Sequence, residues 1–110
     1  MKKSTTTALL LLTVCSATAL FWQYSKLDSA YRHLKAGLSK SDVESMFGWI
    51  PDDKACNGRD IDNSHGWTLF ANPNLCAEKL TYRWPITCEE WIIALDKDGR
   101  IVAHTYVVSP

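Results

Sequence analysis

The chain has no excess of either charge: 12 Lys and Arg balance 12 Asp and Glu over 110 residues. Without a basic surplus it lacks the electrostatic footprint of a nucleic-acid-binding protein. It has no Gly-rich phosphate loop and no Ser-His-Asp pattern, so neither chemistry is written in its motifs. It also lacks any close Cys-x-x-Cys pair, the usual mark of a structural zinc site. A zinc set would have to be gathered from Cys56, His65, Cys76 and Cys88, which are scattered along the chain. Asp60-Ile61-Asp62-Asn63-Ser64 has the carboxylate spacing of part of a calcium loop. Its glycine is misplaced, and Ala71 stands where the loop needs a twelfth-position glutamate, so a solvated loop is the better reading. No cofactor and no metal are implied.

A thiol enzyme would need a histidine beside a cysteine. The expected strand register sets Cys88 opposite Val108, four residues along the strand from His104, which is beyond hydrogen-bond reach. Glu89 and Glu90 are neighbours in sequence only, because alternation sends them to opposite faces of a strand. The chain is therefore expected to be non-enzymatic.

What the chain does have is an apolar start. Met1-Lys2-Lys3 is followed by the uncharged, mostly apolar run from Ala8 to Trp22. That is the pattern of a secretory signal or a membrane anchor. As an anchor, Thr5 to Tyr24 would cover about 30 Å at 1.5 Å per residue, the thickness of a hydrocarbon core. Trp22 and Tyr24 would then sit at the far interface, with Lys2 and Lys3 held in the cytoplasm. As a cleaved signal, Ala17-Thr18-Ala19 would be the processing site, and the mature chain would begin with the greasy Leu20-Phe21-Trp22. Lipidation at Cys15 is a third option, disfavoured by the bulky Val14 before it. The anchor is preferred, giving residues 1–24 as the anchor or signal and residues 25–110 as one small domain outside the cytoplasm. The address is thus the inner membrane facing the periplasm, or the periplasm or beyond if the chain is cut after Ala19.

The cysteines suit that address, since an oxidising compartment favours disulfides and a small domain gains most from one. Cys56, Cys76 and Cys88 allow three pairings. Cys56 with Cys76 is favoured because the two flank an irregular segment. Closing a loop of about 20 residues adds on the order of 3 kcal/mol in the chain-entropy account. Cys88, placed at the start of a strand, is the odd thiol.

Leu27, Tyr31 and Leu34 fall on one stripe of a helix expected over Ser25 to Lys35, ended by Gly37. Ser39 caps a second helix, with Asp42 placed to complete a capping box. Val43, Met46 and Phe47 form its apolar face, Gly48 its left-handed stop, and Pro51 bars continuation. Residues 52–66 read as a loop. From Trp67 the period is two. Strands are expected around Trp67–Ala71, Leu80–Trp84 and Trp91–Leu95, and again after the Lys97-Asp98-Gly99 turn. The expected register sets Leu95 opposite Ile101. It puts Trp91, Ile93, Leu95, Ile101, Ala103 and Val107 on the core face, leaving Ile92, Val102, His104 and Tyr106 on the other. The class is α+β: two short helices packed on a three- to four-stranded antiparallel sheet.

Gly37-Leu38-Ser39-x-x-x-Val43-x-x-x-Phe47-Gly48, followed by Pro51 and later by Ile93-Ala94-Leu95-Asp96-Lys97-Asp98-Gly99, resembles the SmpA/OmlA (BamE-like) domain of bacterial envelope proteins. The resemblance covers Leu34 to about Val108. It is similar in architecture to the repeated domain of the beta-lactamase inhibitory protein as well. It implies two helices laid across one face of an antiparallel sheet, with Val43 and Phe47 pointing inward, and a non-catalytic role binding other envelope proteins. The bulky pair Trp49-Ile50 between Gly48 and Pro51, the extra cysteines and the poor lipidation site depart from that pattern. The expected function is an envelope module exposed to the periplasm that binds a protein partner and contributes to envelope organisation or assembly. A face bearing Ile92, His104 and Tyr106 is the candidate partner surface, unless the 52–66 loop or the first helix covers it. The alternative is a secreted inhibitor or ligand-binding protein of similar architecture. Five tryptophans in so short a chain suit core and interface packing better than an aromatic binding surface.

Overall fold

A computed structural model describes residues 2–61 and 66–108, with side chains from Leu9 onward. One helix, α1 (Lys2–Arg32), takes the whole N-terminal segment and continues into the domain. At 1.5 Å per residue its 31 residues run about 46 Å. The longest dimension of the molecule, 64 Å, reflects it. The expected division between residues 24 and 25 therefore falls inside a single helix. The expected first helix is not a separate short element, and it ends at Arg32 rather than Lys35. Gly37, at φ 89°, lies in the following turn, where its carbonyl accepts a 3.0 Å hydrogen bond from Arg100 Nη1.

The second helix, α2 (Lys40–Phe47), has the ends its sequence dictates. Ser39 Oγ accepts from the Asp42 amide, and an Asp42 carboxylate oxygen accepts from the Ser39 amide. Gly48 closes the helix at φ 61°, donating its amide to Glu44 O over 2.9 Å. Val43 and Phe47 are buried, and the Phe47 ring stacks on Tyr82 with centroids 4.2 Å apart.

The sheet is antiparallel and has five strands: β1 (Asp52–Ala55), β2 (Thr68–Leu69), β3 (Glu78–Trp84), β4 (Glu89–Leu95) and β5 (Ile101–Val108), in the order β1-β3-β4-β5-β2. The chain is thus α+β, with one long and one short helix on one side of the sheet. Two edges differ from expectation. Residues 52–55, read as loop, form edge strand β1 against β3. Their Asp-Asp-Lys-Ala sequence has no apolar alternation, and three of the four residues are exposed, so strand pairing and the ion pairs of Asp52 and Asp53 hold them. The strand expected over Trp67–Ala71 shrinks to the two residues of β2.

The main core lies between the helices and the sheet. Leu27, Ala30 and Leu34 meet Val43 and Phe47 above Leu80, Tyr82, Trp91, Ile93 and Leu95. A second cluster lies on the opposite face, where Ile61, Cys76, Cys56 and Trp67 pack on Ala94, Val102 and Ala103. Apolar burial on both faces lets a domain of this size close.

A bulge decides the register of β5. Leu95 pairs with Ile101, as the hairpin loop requires, but Ala94 pairs with Ala103. Val102 is the extra residue, and both it and Ala103 turn to the second cluster. Beyond it every side chain is flipped relative to simple alternation.

Candidate functional site

The bulge corrects the expected partner face. His104 pairs with Ile93 and Tyr106 with Trp91, so both lie on the helix side of the sheet, while Ile92 pairs with Thr105 and faces the other way. Ala103 and Val107, expected in the main core, belong to the opposite face. The three residues Ile92, His104 and Tyr106 form no common surface. The face that carries Ile92 is not open either: the disulfide-bearing segment packs on it, and Thr81 and Thr105 there are buried.

His104 is 8% exposed, with the Tyr31 ring edge-on at 4.7 Å and Phe70 at 5.3 Å. Its Nδ1 is buried without a hydrogen-bond partner among the described residues. Burial pulls its pKa below the ordinary 6.5, so the ring is kept neutral. It is a packing residue of the helix–sheet interface.

Beside it lies a polar cluster that the sequence reading did not identify. Glu89 Oε1 accepts the hydroxyl protons of Tyr106 at 2.7 Å and of Tyr24 at 3.1 Å. Burial first, and the bond to Glu89 second, push both phenols above their ordinary pKa. The cluster ties α1 to the starts of β4 and the end of β5. Glu90 points the other way and accepts from Arg83 Nε at 3.2 Å, so the two adjacent carboxylates are separated as alternation requires. Lys40, at the start of α2, bridges Glu78 at 2.6 Å and Asp53 at 3.1 Å, and these two bonds raise its pKa.

Cys56 and Cys76 are joined by a disulfide. This removes two of the four ligands of the zinc alternative, and His65, with Asp62, Asn63 and Ser64 of the calcium-like stretch, lies outside the described residues. Among the described residues no group of three or more His, Cys, Asp or Glu could hold a metal ion. Cys15 and Cys88 are free and exposed. Cys88 sits in the turn before β4, at φ 56°, and not in the strand itself.

The remaining surface feature is apolar. Leu9, Leu10, Leu11, Leu12 and Val14 are each more than 60% exposed, and Phe21 and Trp22 are 72% and 63% exposed. Successive residues point 100° apart around a helix, so the apolar surface of α1 runs right round it. Among the described residues no helix is long and apolar enough to cross a membrane. The expected span begins at Thr5, and the described side chains begin at Leu9. Where α1 meets the domain, Gln23, Glu44, Gly48, Trp49 and Ile50 line an open cavity of about 570 Å³. Ile50 is 89% exposed there, the barest large apolar side chain described. Trp49-Ile50 was visible in the sequence as a bulky insertion between Gly48 and Pro51; its place beside α1 was not. The chain matches no protein-family model, no curated protein and no solved structure.

Proposed function

We propose that the chain is a non-enzymatic cell-envelope module, held in the inner membrane by the first part of α1, with its α+β domain in the periplasm, where it binds a protein partner. The observation that carries this reading is the division of labour within one helix. From Leu9 to Trp22 the large apolar side chains of α1 are exposed, whereas Leu27, Ala30 and Leu34 close the core. A helix apolar all round calls for an apolar solvent, and the uncharged stretch from Thr5 to Tyr24 has the length of a hydrocarbon core. Lys2 and Lys3 before it favour a cytoplasmic N-terminus. The Cys56–Cys76 disulfide suits an oxidising compartment. The capped helix unit from Gly37 to Gly48, laid on an antiparallel sheet, supports the likeness to SmpA/OmlA (BamE-like) domains, and with it a role in protein binding rather than chemistry.

Two measurements test this. In a Cys15→Ser background, a membrane-impermeant maleimide should label Cys88 in intact spheroplasts; labelling only after lysis would put the domain in the cytoplasm and sink the proposal. Affinity capture from detergent-solubilised envelopes should return one stoichiometric protein partner. A chain released whole into the medium, with no partner in the envelope, would favour the secreted inhibitor instead.

A further inference from the structure

Resting on the anchor reading above, we propose that the end of the domain from which α1 emerges seats in the lipid interface, with Trp49, Ile50 and Ile86 entering the headgroup layer around Trp22. The apolar residues of the domain surface are unevenly placed. Trp49 and Ile50 border the cavity shared with Gln23 of α1. Ile86, 66% exposed, lies in the β3–β4 turn just beyond Trp84, whose ring meets Tyr24 at 5.6 Å. Val108, 57% exposed, pairs with Glu89, the residue that binds Tyr24. All four surround the exit of the helix. Leu69 and Leu75, the exposed leucines of the domain, lie elsewhere: Leu69 pairs with Ala103, and Leu75 lines a cavity with Asp96, Lys97 and Asp98 of the hairpin at the far end.

The occupant follows from the absence of any linker between span and domain. Trp22 is bare, Tyr24 packs on Trp84 and Trp91, and Leu27 is 1% exposed, all in one unbroken helix. From Trp22 to Leu27 the helix rises about 7.5 Å. The headgroup layer on one side of a bilayer is about 5–8 Å thick. With Trp22 at the interface, the corner at Gly48–Pro51 and the turn at Pro85–Cys88 have no room to stand clear of that layer. Their chemistry fits it. Trp and Ile supply apolar bulk, and the Lys26 ammonium lies 5.4 Å from the centre of the Trp22 ring, where its stem can remain apolar while its charge reaches the headgroups. The charges of the sheet at this end are partnered: Arg83 and Lys54 pair with Asp52, Arg83 also with Glu90, and Glu89 accepts from the hydroxyls of Tyr24 and Tyr106. The seat would fix the orientation of the domain on the membrane rather than let it swing.

The test uses the full chain, with Cys15→Ser and Cys88→Ser, reconstituted in phosphatidylcholine vesicles. Single spin labels are placed through Leu12→Cys, Ile50→Cys, Ile86→Cys and Leu75→Cys, all exposed positions where a label leaves packing intact. Collision with oxygen reports lipid, and collision with a water-soluble nickel chelate reports solvent. The ratio of oxygen to nickel collisions at 50 and 86 should shift away from that at 75 and towards that at 12. Ratios at 50 and 86 equal to that at 75, with 12 in lipid, would overturn the seat and leave the anchor standing. A label at 12 that is itself in water would overturn the anchor and the seat with it. Labels at 50 and 86 shielded from both reagents would mean that a second copy of the chain covers this end, which also overturns the proposal.

Discussion

The hydroxyl of Tyr24 lies 3.1 Å from Glu89 Oε1, so a residue inside the expected membrane segment is also bonded to the sheet. The ring of Tyr24 meets the edges of both Trp84 and Trp91. Tyr24 of α1 is therefore both packed against and hydrogen-bonded to the sheet. Removing the hydroxyl with Tyr24→Phe should keep the aromatic packing and cost about 1 kcal/mol, the net worth of one such hydrogen bond. Glu89→Leu should cost more than Tyr24→Phe, because it leaves the hydroxyls of Tyr24 and Tyr106 both without their shared acceptor. Urea melts of the two variants beside the parent give the comparison; stability equal to the parent's in both would show that the cluster holds nothing.

The α2 unit is a structural one. Phe47→Ala should destabilise the domain by about 3–5 kcal/mol, and Val43→Asp should unfold it, since the residue is fully buried and a domain has only about 5–15 kcal/mol in hand. Gly48→Val should destabilise as well: Gly48 is at φ 61°, and a Cβ there would meet the Lys26 side chain. Cooperative melts like the parent's in the Val43 and Phe47 variants would contradict the helix-on-sheet core.

Much of this unit is legible in the chain because its signals are local. Ser39, Asp42, Val43, Phe47 and Gly48 act within one helix, through caps and a 3.6-residue stripe. The hairpin at Lys97-Asp98-Gly99 is local too, and it sets Leu95 opposite Ile101 as expected. The flip at Val102 is not local. It is fixed by what packs on the far face, where Ile61, Trp67 and the disulfide need both Val102 and Ala103, and no pattern within β5 announces that. For that reason His104 and Tyr106, expected on an open face with Ile92, are found on the helix side of the sheet, His104 buried and Tyr106 39% exposed. Strand β1 was illegible for a related reason: Asp52–Ala55 has no buried face of its own and is ordered by pairing with β3. The continuity of α1 was hidden because the apolar run and the amphipathic stripe read as two segments with different surroundings.

The corrected register makes a prediction opposite to that of an open face. His104→Ala combined with Tyr106→Ala should lose stability, because the pair supports Tyr31, Trp91 and Glu89. A double variant as stable as the parent would restore the open-face register.

The neutral state of His104 links stability to pH. Its folded pKa is depressed by burial, so the unfolded chain takes up the proton first, near pH 6.5. The stability it contributes is complete above pH 6.5 and is lost as pH falls through the folded value. Urea midpoints should fall between about pH 7.5 and about pH 5.5, and the fall should shrink in His104→Phe, which keeps a ring against Tyr31. A parent midpoint that stays level or rises on acidification would contradict this.

Peptide mapping without reductant should recover Cys56 joined to Cys76, with Cys15 and Cys88 as free thiols. Replacing the pair with alanine should cost on the order of 3 kcal/mol for a closed loop of this size. Finding Cys56 and Cys76 both alkylated in protein from the envelope would refute the pairing and reopen the metal reading.

The central claim is that α1 stays with the chain and sits in the membrane. Intact mass of the protein recovered after a carbonate wash of membranes tests it most directly. The account predicts the full 12.4 kDa chain in the washed pellet. A soluble, shortened chain beginning at Leu20 would contradict it.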